Sequence, residues 1–149
     1  MILVSACLVG EKCKYSGASN DSPAVRRFLE GRDYIAFCPE LLGGLGVPRP
    51  PVELDENGAA WNRDGENVSQ AFALGAQRSL RLCEEYQPEL LILKDGSPSC
   101  GVNYIYDGSF SHQTIPGLGL TARLLREHGY ALISEADLED PTGATETKL

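Results

Sequence analysis

Met1-Ile2-Leu3-Val4-Ser5-Ala6-Cys7 opens the chain as an almost unbroken apolar run that stops at a thiol. The pattern returns at Tyr34-Ile35-Ala36-Phe37-Cys38, and again at Leu90-Leu91-Ile92-Leu93, with Cys100 a short loop beyond. Short apolar runs bounded by turn residues fit strands covered on both faces, as in a parallel sheet. If these runs are neighbouring parallel strands, their thiols gather at the carboxyl edge of one sheet, where open α/β folds build their sites. The expected fold class is therefore α/β: a single-domain, mostly parallel sheet flanked by helices in a Rossmann-like manner, with long loops at the carboxyl edge of the strands.

The segments between these runs supply the helices. Ser22-Pro23 is an N-cap and N1 pair opening a short helix through Glu30, with Gly31 after it. Val68, Phe72, Ala76, Leu80 and Cys83, three or four residues apart, form one apolar stripe of a helix over residues 68 to 86 that Pro88 stops, so Cys83 is expected in the core. A helix over residues 120 to 128 ends before Gly129, and residues 131 to 134 give a fourth strand. Asp55-Glu56-Asn57-Gly58 between Val52-Glu53-Leu54 and Ala59-Ala60-Trp61 signals a hairpin, a lid or edge of the domain. Two loops exceed ordinary connections. Residues 39 to 51, with four prolines and three glycines, exclude a regular helix, and residues 94 to 117 are rich in Gly, Ser, Pro and Tyr. Ordered loops of that length are usually functional, and each begins near one of the cysteines.

The 149 residues make one domain able to bury a core without staples. The expected domain spans residues 1 to 138. Residues 139 to 149 are expected to be a flexible acidic tail, the end of a stretch from Glu135 with five Asp or Glu and no apolar periodicity. No apolar run approaches the roughly 18 residues of a membrane span, so no membrane partner is expected. The start lacks the basic leader of a signal peptide. A formal net charge of −8 disfavours autonomous nucleic-acid binding, because Lys and Arg against phosphate supply most of that affinity. Five cysteines without an export signal read as reduced thiols, and the expected location is cytoplasmic.

Cysteine is often only a small buried hydrophobe, but three at equivalent strand ends point to metal. Structural zinc favours Cys-x-x-Cys knuckles, which are absent, and catalytic zinc usually takes His. His112 reads as loop, and His128 as a favourable partner of a helix C-terminus. All-thiolate donor sets select zinc, Cu(I) or iron–sulfur clusters, and the missing knuckles favour iron and sulfur. Gly43-Gly44-x-Gly46 is crowded by proline and lacks a following helix, so it is no dinucleotide fingerprint.

Several separated motifs occur in one order: Ser5-Ala6-Cys7-Leu8, Gly10-Glu11-Lys12-Cys13-Lys14-Tyr15, Cys38-Pro39-Glu40, Gly43-Gly44-Leu45 with Pro48-Arg49-Pro50-Pro51, Leu93-Lys94 with Ser97-Pro98-Ser99-Cys100-Gly101, and Tyr106-Asp107-Gly108-Ser109-Phe110. Together, over residues 1 to about 135, they resemble the thiouracil desulfurase family. The resemblance implies a [4Fe-4S] cluster held by three cysteines, with one iron not bound by protein, and a non-redox hydrolytic desulfuration of a thiolated pyrimidine. Thiouracil or a thiouridine-type substrate would become uracil or uridine plus hydrosulfide. Carried over by residue, the resemblance implies ligands at Cys7, Cys38 and Cys100 and polar catalytic groups at Glu40 and Ser97. The chain departs from the family pattern at Ser16, where Asp is usual, at Asp95-Gly96, and at Asn67-Val68-Ser69.

Simple chemistry is compatible with these roles. An iron with an open position is a Lewis acid, and a thiocarbonyl sulfur is a soft donor. Glu40, two residues from Cys38, suits proton transfer with water, although a loop carboxylate is ordinarily just solvated. Ser97 suits orienting water or a ring oxygen, although Ser before Pro is also a common turn residue. Cys13, in the loop with Cys7, is either a fourth ligand, which would close the cluster, or a thiol beside it. Lys12, Lys14, Arg49, Arg63 and Lys94 are either contacts for a substrate phosphate or ordinary solvated charges. The alternative function is a non-catalytic iron–sulfur or sulfur-carrier module serving a partner protein. A thiol redox enzyme pairing Cys7 with Cys13 is disfavoured by the absence of Cys-x-x-Cys.

Overall fold

The computed structural model describes residues 1–139 of the chain. In chain order the elements are β1 (Ile2–Ser5), α1 (Pro23–Leu29), β2 (Tyr34–Phe37), α2 (Pro39–Leu42), β3 (Val52–Leu54), β4 (Ala60–Asn62), α3 (Ser69–Tyr86), β5 (Leu90–Leu93), β6 (Tyr104–Tyr106), β7 (Thr114–Pro116), α4 (Leu120–Glu127) and β8 (Leu132–Ser134), with 3-10 turns at Ala6–Val9 and Glu135–Asp137. Four strands form one sheet in the order β2-β1-β5-β8, every pairing parallel. The expected α/β class is the observed one.

The central strand explains the opening run. All four residues of β1 are buried. Its side chains alternate between two cores, as the pleat requires. Leu3 packs with Leu91, Leu93, Leu80, Cys83 and Leu125 beneath α3 and α4, whereas Ile2, Val4 and Ile92 pack with Val25 and Leu29 of α1 on the other face. Helices on both faces leave no polar side for the strand to show, so its sequence is apolar throughout.

Register delivers the thiols. Ile2 lies opposite both Tyr34 and Leu90, so β1, β2 and β5 start level. Ser5 pairs with Phe37, and the register puts Leu93 at the same height. Cys7, Cys38 and the loop carrying Cys100 therefore leave the sheet at one edge.

Local signals hold where they are chemical. The Ser22 hydroxyl accepts a hydrogen bond from Val25 N at 3.3 Å, capping α1 with Pro23 in its first turn. β3 and β4 pair antiparallel around the Asn57-Gly58 turn. Cys83 is wholly buried in the core, as its stripe implied.

Two expectations are corrected. Residues 39 to 51 do contain a helix, the single turn α2, because Pro39 occupies the first helical position, where a missing N–H costs nothing. Residues 94 to 117 contain the antiparallel pair β6–β7, whose three-residue strands are too short to show alternation. Glu135–Asp137, inside the expected domain of residues 1 to 138, is a 3-10 turn closed by a capping box between Ser134 and Asp137. Glu139 also accepts a hydrogen bond from Ser22 Oγ at 2.6 Å. The rest of the expected tail, residues 140 to 149, lies outside the described residues. Among the described residues no helix is long and apolar enough to cross a membrane.

Two glycines set how α2 meets α3. A Cβ on Gly43 would stand 2.1 Å from the Ala71 carbonyl oxygen, and one on Gly75 would stand 2.1 Å from the Pro39 carbonyl oxygen. Only backbones without side chains approach this closely. The contact fixes the segment carrying Cys38 and Glu40 against the longest helix.

Candidate active site

A cavity of about 380 Å³ opens at the carboxyl edge of the sheet. Cys7, Cys13, Cys38, Cys100, Glu40 and Ser97 all line it. The five residues singled out for ligation and catalysis are thus brought together, with Cys13 added. Lys14, Arg49, Arg63, Lys94 and His112 also face the cavity, whereas Lys12 does not.

Each thiol is carried by a different device. Cys7 sits in the 3-10 turn that ends β1, and its sulfur accepts a hydrogen bond from Asn20 Nδ2 at 3.4 Å. Cys38 directly precedes α2. Cys100 lies in a turn built by Ser97, whose hydroxyl oxygen accepts from Ser99 N at 3.1 Å and Cys100 N at 2.9 Å. The turn is tied to α4 through the Ser99 and Thr121 hydroxyls, 2.7 Å apart. Ser97 is therefore both the turn residue its sequence suggested and a wall of the cavity. With its oxygen accepting two backbone donors, its own proton is left to donate.

Cys13 lies between two of the others. Its hydrogen bonds to Cys38 and Cys7, with burial, push its thiol far above the ordinary range. The hydrogen bonding of Cys13 is the largest cause lowering Cys7, assisted by Asn20 and opposed by burial. It is likewise the main reason Cys38 falls to about 7, with the Leu41 N–H adding to it. Burial pushes Cys100 up, against a hydrogen bond with Ser5. Thiolate character close to neutrality at Cys38 is what a metal ligand needs.

Glu40 is shifted upward on balance. Burial raises its carboxyl, and the Arg49 guanidinium opposes that through charge and a hydrogen bond. Arg49 Nε lies 3.0 Å from Glu40 Oε1, with the two side chains only 7% and 14% exposed. The reading of Arg49 as an ordinary solvated charge is overturned, because it is a buried partner of Glu40. Lys94 is similarly engaged. Burial lowers its ammonium, but Glu135 at 3.0 Å outweighs this and the net shift is upward. Glu135 also accepts from Asp95 N at 2.8 Å.

Asn20, Ser5, Asp95, Glu135 and Gly75 were not singled out from the sequence. Asn20 stood in a Ser/Asn/Asp cluster that read only as loop, and Glu135 in an acidic stretch with no apolar periodicity. Asp95 accepts from the backbone N–H groups of Val102, Asn103 and Tyr104 and from Asn103 Nδ2, shaping the loop around Cys100. The loop of Phe110 is pinned by Glu53, which lines the cavity and accepts from Gly108 N at 2.9 Å and Phe110 N at 3.1 Å. The hairpin β3–β4 is thus part of the cavity wall. His128 caps α4, with Nδ1 2.9 Å from the Leu124 carbonyl oxygen.

The cavity gathers four cysteine thiols, an all-sulfur donor set. A four-iron cluster spreads its thiolates over its own width, and an all-sulfur set in one buried cavity suits it.

A family model described as 2-thiouracil desulfurase matches residues 2–137. The chain is 41% identical over 149 residues to the Bacillus subtilis (strain 168) protein YbbK, covering 94% of this chain and 99% of that protein. It is also similar to a solved structure described as the [4Fe-4S]-dependent thiouracil desulfidase TudS. The TM-score is 0.84 at 40% identity, over 99% of this chain and 97% of that one.

Proposed function

The chain belongs to the 2-thiouracil desulfurase family, and from that premise we propose that it is a [4Fe-4S]-dependent enzyme that desulfurates thiolated pyrimidines by hydrolysis, without net redox change. Thiouracil plus water would give uracil and hydrosulfide. The observation that carries the reading is the convergence of the thiols with Glu40 and Ser97 in one cavity. Cys7, Cys38 and Cys100 would hold the cluster from three strand ends, leaving one iron without a protein ligand. The bound cluster would supply a Lewis acid for the thiocarbonyl sulfur.

The remaining work falls to the chain. Glu40, held against Arg49, takes a proton from the attacking water and returns one to the product or the departing sulfur. Ser97, its oxygen occupied by two backbone donors, gives its proton to a pyrimidine oxygen or to the water. Lys14, Arg63 and His112 at the cavity wall support a substrate as large as a nucleotide. Reduced thiols of this kind suit the cytoplasm.

One observation favours a second reading. Cys13 reaches both Cys7 and Cys38, so a fourth thiolate could close the cluster and leave a carrier serving a partner protein. Anaerobic reconstitution, followed by sulfide assay on 2-thiouracil, thiouridine and their nucleotides, separates the two. Brown protein that releases sulfide, with Cys13→Ser retaining its iron, supports the enzyme. A cluster that needs Cys13 and releases no sulfide supports the carrier. Colourless protein with tightly bound zinc overturns both.

A further inference from the structure

Arg49 ties three separate pieces of the site together. Its Nε donates to Glu40 Oε1 at 3.0 Å, its Nη2 to the Cys13 carbonyl at 2.9 Å, and its Nη1 to the Gly46 carbonyl at 3.0 Å. Its backbone N–H also donates to the Tyr15 carbonyl at 2.8 Å. The guanidinium is a rigid planar fork, so three acceptors at fixed angles hold it, and it holds them. One acceptor belongs to the loop after Cys7, another to the turn after Cys38, and the third to the proline-rich loop that carries Arg49 itself. With Oε1 occupied, Oε2 makes no hydrogen bond among the described residues, and Glu40 lines the cavity.

From this geometry we infer that Arg49 is a positioning residue: it aims the free oxygen of Glu40 into the cavity and locks the Cys13 loop onto the Cys38 turn. The inference rests on the desulfidase reading for its kinetic consequence, but not for its structural one. Lysine at the same position keeps the charge and loses the fork, since an ammonium is a point and cannot meet three acceptors in one plane. An error of about 1 Å in a catalytic group costs on the order of 100-fold in rate. Charge alone is thus separable from aim.

The test uses the full chain as wild type, Arg49→Lys, Glu40→Gln and the double variant, each reconstituted anaerobically. The expected result for Arg49→Lys is a wild-type cluster spectrum and iron content, KM for 2-thiouracil within about threefold, and kcat lower by about 10- to 100-fold. In the Glu40→Gln background the same substitution costs no further kcat, because the carboxylate it aims is gone. Wild-type kcat in Arg49→Lys, or an equal loss added on top of Glu40→Gln, overturns the inference. If the wild type releases no sulfide, the functional reading falls and the structural half is still read in the metal-free proteins. There the urea midpoints of the two single variants should be non-additive, and hydrogen exchange around residues 13 to 17 should quicken in Arg49→Lys. Additive midpoints with unchanged exchange overturn the inference in that case.

Discussion

At the scale of single residues, the five cysteines divide by what surrounds them. Four line the cavity, and Cys83 is buried between α3 and the sheet, where burial raises its thiol to about 11. Cys83→Ser should therefore keep wild-type iron per folded molecule while losing about 1–3 kcal/mol of stability, the cost of burying an unpaired hydroxyl. Cys38→Ser should do the reverse, losing iron with little effect on the fold. Iron analysis alongside urea unfolding separates them, and loss of iron in Cys83→Ser would contradict the assignment. Asp95 gives a pH dependence. Burial raises its carboxyl, but the hydrogen bonds from Asn103, Tyr104 and Val102 outweigh burial and the net shift is downward. A folded-state value below the unfolded one, about 3.9, contributes stability that is present above that pH and is lost as pH falls through the folded value. Asp95→Asn should thus be destabilised by about 1–3 kcal/mol at neutral pH, with a smaller difference from wild type at pH 3. Unfolding curves at the two pH values check it; an equal difference at both would remove Asp95 from the account. Cys7, Cys38 and Cys100 were legible because strand ends announce themselves in sequence. Asn20 and Arg49 were not, since their partners are 13 and 9 residues away across folded loops.

At the scale of elements, the close approach of α2 to α3 governs where Cys38 and Glu40 stand. Gly75 lies inside an 18-residue helix, where alanine would ordinarily gain about 1 kcal/mol. Here a Cβ would meet the Pro39 carbonyl at 2.1 Å, so Gly75→Ala should lower the thermal midpoint and displace the Cys38 segment, reducing cluster uptake. A stabilised variant with full iron content would contradict the packing. The hairpin β3–β4 and the loop before β7 meet through Glu53, a contact between distant segments that no local pattern encodes. Glu53→Ala should speed amide exchange at residues 108 to 110 and leave β1 and β5 unchanged. Protection preserved at those residues would mean that other contacts hold the loop. The strands β1, β2 and β5 and the capped helix α1 were readable from apolar runs and a Ser-Pro pair. α2, β6 and β7 were too short for periodicity, and their conformations come from what they pack against.

For the whole molecule, two hydrophobic cores flank the sheet, and the cavity sits at its edge. Folding should therefore survive loss of the cluster, unlike small domains whose metal supplies their core. Chelated protein should keep its far-ultraviolet circular dichroism and still unfold cooperatively, with a thermal midpoint lowered by the lost binding energy. Unfolding on chelation would overturn that division between core and site. By itself the sequence determined the α/β class, the edge of the sheet where chemistry would gather and the residues carrying the family resemblance, because strand burial, helix caps and motif order are local or linear properties. Only the tertiary structure decided that Cys13 lies between Cys7 and Cys38, that Arg49 is a buried clamp on Glu40, that Glu135 belongs to the body beside Lys94, and that two glycines set the height of the Cys38 turn. Those are relations between segments brought together by packing, and their hydrogen bonds and van der Waals contacts depend on distances through space that residue order does not contain.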